Sequence, residues 1–158
     1  MAFSLNLHKL LIAPNCVATW HLSDWDRLLQ QAYASGMLAK VYVMLQTSGN
    51  LKNVPVQICW HFNAANSAFE AHIDAVLKEV EHISKALSLS GLNATFLKGA
   101  AYLLVQDKAA EGRMFSDVDI FVEKSQLSTA EHMIGWHGWS IVDKDDDDQA
   151  LPIIHIRH

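Results

Sequence analysis

Between about residues 64 and 90 the apolar side chains Phe69, Ile73, Val76, Leu77, Val80, Ile83 and Leu87 recur at steps of three and four. That spacing predicts one amphipathic helix of roughly seven turns, closed by Gly91. Nothing after Gly91 continues the pattern. Short apolar runs bounded by turn residues follow instead, as expected of strands. A chain broken in this way is confined to an α+β architecture, with helices first and a small sheet after.

The finer punctuation agrees. Ser23-Asp24-Trp25-Asp26 resembles a capping box, because the Ser23 hydroxyl can accept an orphan N–H while Asp26 lies three residues on. Trp25, Leu28, Leu29 and Ala32 then share a stripe, and Gly36 is a natural stop. A second helix is predicted over residues 38–46, broken by Ser48-Gly49-Asn50. Strands are predicted at residues 94–97, 118–122, 139–142 and 152–156. Helices are predicted over residues 100–107 and from a second capping box, Ser128 to Glu131, as far as Gly135 or Gly138. The expected organisation is a helical region, residues 1–91, packed on a small mixed sheet formed by residues 92–158.

Composition removes several function classes. The 158 residues are 51% hydrophobic and 18% charged, a balance that excludes wholesale disorder. No apolar run approaches the roughly 18 residues of a membrane span. The first fifteen residues lack the pattern of a secretory signal. Two cysteines, Cys16 and Cys59, make neither a disulfide framework nor a cysteine zinc site, so the expected compartment is a reducing cytoplasm. Residues 1–92 carry six basic and six acidic side chains, and residues 93–158 carry six and eleven. The net charge of −5 therefore lies wholly in the second part. Direct nucleic-acid binding is not expected of such a surface. The run Asp145 to Asp148 reads as a solvated turn.

The stretch Asp117-Val118-Asp119-Ile120-Phe121-Val122 carries the most chemistry. On a strand, alternation puts Asp117 and Asp119 on one face and Val118, Ile120 and Val122 on the other. Two carboxylates one strand-step apart repel unless a cation lies between them. Oxygen donors on a rigid strand suit Mg²⁺, which commonly binds one or two carboxylates together with substrate phosphates. A bare Asp-x-Asp is more often the polar face of an edge strand. The upstream segment Phe96-Leu97-Lys98-Gly99-Ala100-Ala101 shifts that balance. It places a glycine between a strand and a helix, where free amides can meet an anion. Carboxylates for a metal and a glycine turn for phosphate are the two halves of a triphosphate site.

These two segments, the second beginning Gly112-Arg113-Met114-Phe115-Ser116-Asp117, resemble the uncharacterised bacterial nucleotidyltransferase family of the DNA polymerase beta-like superfamily. The likeness spans roughly residues 20–142. It implies Asp117 and Asp119 as catalytic metal ligands, and Gly99 and Ala100 at the phosphate turn. Lys98 and Arg113 match basic positions of the pattern and are assigned to nucleotide binding. Mg²⁺, or Mn²⁺ in its place, is the implied cofactor, a nucleoside triphosphate the implied substrate, and the acceptor is not named. Ala100 and Met114 depart from the pattern, which usually has Ser or Gly at the turn and Pro after the Arg.

The superfamily also uses a third carboxylate on a later strand. By the resemblance it is expected downstream of Ile153-Ile154-His155-Ile156, so the chain reads as the N-terminal piece of a longer member, inactive by itself. Other candidates are weaker. Asp148 and Ile154 stand where an EF-hand needs Gly and Glu. His155 and His158 fall on opposite faces of a strand with no further zinc ligand in sight. The five tryptophans read as core anchors, since no basic residues interleave with them. Three functions are thus consistent with the sequence: a metal-dependent nucleotidyltransferase, a silent nucleotide-binding or regulatory module, and a protein-interaction domain.

Overall fold

The computed structural model describes residues 5–141 and 152–157. The chain divides into two compact units, residues 1–71 with 111–114, and residues 72–110 with 115–158. No helix among the described residues is long and apolar enough to cross a membrane.

The first unit is helical. It contains α1 (Asn6–Ile12), α2 (Leu22–Ala34), α3 (Leu38–Thr47) and the opening turns of α4 (Cys59–Leu89). Trp25 anchors its core, meeting Trp20 and Phe62 edge-on at ring separations of 5.4 and 6.3 Å. Leu10, Leu28, Val41 and Leu45 close around them. The start of α2 differs from the sequence expectation. The helix begins at Leu22, with His21 as its cap and Asp24 accepting the His21 backbone N–H at 3.1 Å. That bond holds the Asp24 carboxyl below the usual carboxylate range. Ser23 is therefore already helical, because the Asp24 carboxylate satisfies an orphan amide two residues earlier than Asp26 could.

The second unit holds the sheet. Its strands are β1 (Thr95–Leu97), β2 (Val118–Phe121), β3 (Ser140–Ile141) and β4 (Ile153–Arg157), in the order β1-β2-β4-β3. Among the described residues the three pairings are antiparallel, where a mixed sheet was expected. The short helix α5 (Lys98–Leu104) follows β1 directly, and α6 (Leu127–Trp136) joins β2 to β3 in the chain. The apolar side chains Val118, Ile120, Ile154 and Ile156 form one core with Val80, Ile83 and Leu87 of α4 and with Ala130 and Ile134 of α6. Gly91 closes α4 in the left-handed conformation, φ 69°, and the Leu92 N–H reaches back to the Leu87 carbonyl at 3.0 Å.

Two further boundaries moved. α5 stops at Leu104, and Gln106 turns left-handed at φ 54°, a conformation that cannot continue a helix. α6 begins at Leu127 straight from a 3₁₀ turn at Lys124–Gln126, with no side-chain cap. Ser128 lies inside it. The preceding turn makes the capping box unnecessary.

Candidate functional site

Asp119 lies within β2 with only 3% of its surface exposed. A buried carboxylate is costly unless charge or hydrogen bonds compensate it. Two groups do so. Lys98 Nζ stands 3.4 Å from Asp119 Oδ1, and the buried His155 is hydrogen-bonded through Nδ1 to the same oxygen. The register explains the arrangement: Asp119 pairs with Leu97 of β1 on one flank and with His155 of β4 on the other. Asp117, half-buried, comes one residue before β2 begins.

Asp117, Asp119 and His155 each offer one donor atom, and these atoms lie within 4.8 Å of one another. Two donors on one cation, with bonds of about 2.1 Å, stand about 3 Å apart when adjacent and about 4.2 Å when opposed. Modest side-chain shifts would close the three donors on one ion. The donor set fits a divalent cation.

The glycine turn is built differently from the sequence expectation. Lys98, not Gly99, adopts the left-handed conformation, with φ 47°. A non-glycine residue held there costs about 1–2 kcal/mol. Gly99 answers another need. A Cβ at Gly99 would lie 2.8 Å from Cγ of the Phe115 ring, so the close approach it permits is that of Phe115. Gly99→Val is accordingly expected to lower stability by about 1–3 kcal/mol, as overpacked sites do. Urea unfolding measures this, and Phe115→Ala in the same background should recover part of the loss. A Gly99→Val protein as stable as the parent would mean that the ring swings aside freely.

Gly99 and Ala100 are both buried in the first turn of α5. Arg113 is exposed and belongs to the segment 111–114 that packs with the first unit. The Asp145 to Asp148 run and His158 lie outside the described residues.

Next to Asp117 is a cavity of about 290 Å³, lined in part by His72, Val76, Glu79, Phe115 and Ser116. His72 Nε2 accepts the Phe115 backbone N–H at 3.3 Å. Burial pushes the His72 pKa down, which favours the neutral ring that this bond requires. The Glu79 carboxylate accepts the Trp139 indole N–H. Among the described lining residues there is no Lys or Arg.

The family model described as uncharacterised nucleotidyltransferase matches residues 21–153. The chain belongs to that family. No curated protein and no solved structure matches it. A general role in nucleotidyl transfer follows from membership, and the Asp-Asp-His group gives this family member a place where a divalent metal fits. His155 is the member that sequence reasoning missed. Judged as a zinc ligand it lacked companions, yet its companions are the two aspartates 38 and 36 positions upstream. The only signal was its place in a strand of isoleucines, where a lone polar residue marks the opposite face.

Proposed function

We propose that this chain binds a nucleoside triphosphate together with a divalent cation and transfers the nucleoside monophosphate to a hydroxyl-bearing acceptor. The acceptor hydroxyl gives up its proton to water as its oxygen bonds to the α-phosphorus, the bond from that phosphorus to the bridging oxygen breaks, and pyrophosphate leaves with the electron pair. The observation that carries this reading is the convergence of Asp117 and Asp119 beside Lys98 in a chain of the nucleotidyltransferase family. A bound Mg²⁺ or Mn²⁺ would supply neutralisation of the triphosphate oxygens and of charge developing on them.

Asp117 and Asp119 would hold that cation. The Lys98 ammonium, beside Asp119, would offset the charge of the phosphate tail. The backbone at Gly99 and Ala100 would guide the tail at the start of α5. The cavity beside Asp117 carries Glu79 and Asp117 but no cationic side chain among its described lining residues. Such walls repel a polyphosphate and suit an uncharged or cationic portion of a substrate.

A second reading has its own support. The residue facing Asp119 across the sheet is His155, so the group brought together among the described residues has two carboxylates and an imidazole and no third carboxylate. A silent nucleotide-binding module needs no third carboxylate.

Titration of the purified chain with each of the four ribonucleoside triphosphates, with and without Mg²⁺, tests the proposal. Binding is expected to require the cation and to weaken at least about tenfold in Asp117→Asn, with the thermal midpoint little changed. Binding indifferent to both the cation and Asp117 would sink it. Pyrophosphate release then separates the two readings, since a silent module binds without turnover.

A further inference from the structure

We propose that the cation site is a mixed carboxylate–imidazole centre, Asp117, Asp119 and His155, which selects a first-row transition-metal dication over Mg²⁺. This rests on the metal-binding part of the function proposed above. His155 is 8% exposed and Asp119 is 3% exposed, so neither is a loosely solvated surface group that happens to face the other. The antiparallel register fixes their opposition, Asp119 to His155, and the donor atoms of all three residues fall within 4.8 Å.

Donor chemistry then decides the ion. Mg²⁺ is a hard cation that takes oxygen ligands and keeps several waters. An imidazole nitrogen gains little from Mg²⁺ but binds well to first-row transition ions. An all-oxygen site would suit Mg²⁺ and Mn²⁺ both. One buried imidazole against two carboxylates biases it, and Mn²⁺ is the transition ion that also tolerates phosphate and water oxygens. The competing account is that His155 only donates a hydrogen bond to Asp119 and never meets a metal.

Pulsed electron paramagnetic resonance of the full chain with Mn²⁺ alone distinguishes these accounts. Directly bound imidazole is expected to give a ¹⁴N modulation of the Mn²⁺ signal. The modulation should vanish in His155→Asp, which retains the ion, and the bound signal itself should vanish in Asp117→Asn. In competition, about a tenfold or greater excess of Mg²⁺ should be needed to displace half the Mn²⁺ from the parent, and clearly less from His155→Asp. Bound Mn²⁺ that depends on Asp117 but shows no ¹⁴N modulation would overturn the assignment of His155 and leave the cation site standing. Mn²⁺ that fails to bind at all would overturn both. The parent spectrum decides the ligation even where His155→Asp fails to fold.

Discussion

Asp119→Asn is expected to lower divalent-cation affinity by about a hundredfold or more, and with it any pyrophosphate release by about 10³-fold. The residue is at once a charged donor and the group that Lys98 and His155 both address. Asparagine keeps the shape and one oxygen, so a hydrogen bond to His155 survives, but the charge that attracts the cation does not. The fold should lose less. A buried hydrogen-bonded charge gives way to a neutral amide at a cost of about 1–3 kcal/mol, offset in part by relief of repulsion from Asp117. Calorimetric Mn²⁺ titration beside urea unfolding in metal-free buffer separates the two effects. Undiminished Mn²⁺ binding by a folded Asp119→Asn protein would remove Asp119 from the site.

The largest effect on stability is expected at Gly112, in the first unit. Gly112 is left-handed, with φ 65°, and a Cβ there would lie 2.4 Å from Lys40 Cα and 2.6 Å from Lys40 N. Both neighbours are backbone atoms in the first turn of α3 and cannot rotate away. Gly112→Ala therefore combines left-handed strain of about 1–2 kcal/mol with overpacking of about 1–3 kcal/mol. Gly36 supplies the control, since it has nearly the same φ, 66°, with nothing within 4 Å of its would-be Cβ. Gly36→Ala should show the strain alone. Equal denaturation midpoints for the two variants would mean that residues 111–114 do not lie so close against α3.

Local patterns made much of this fold readable. The apolar stripe of α4 and the stop at Gly91 follow from helical spacing, and the alternation around Asp117 and Asp119 follows from the pleat of a strand. Contacts between distant segments were not readable. Nothing in the 35 residues between Asp119 and His155 states that β4 will pair with β2, or in which register. The glycine of the Lys98-Gly99 turn was visible, but its reason was a ring sixteen positions away, at Phe115. The helix starts expected at Ser23 and Ser128 also moved. At the first a nearer carboxylate, Asp24, takes the free amide, and at the second a 3₁₀ turn leads into the helix without any side-chain cap.

The pairing of β2 with β4 has a consequence for how a cation site comes into being. The alignment that sets His155 against Asp119 also sets Ile154 against Ile120 and Ile156 against Val118. A slip of one residue would turn His155 into the apolar interior and bring an isoleucine up to the carboxylates. Assembly of the three donor residues and closure of the core are thus one event, written in the same row of hydrogen bonds. A misthreaded sheet offers the ion no address. Because the proposed ion would recognise only the correctly aligned chain, saturating it should draw the folding equilibrium toward that alignment, and a divalent cation would then act as a proofreader of strand register.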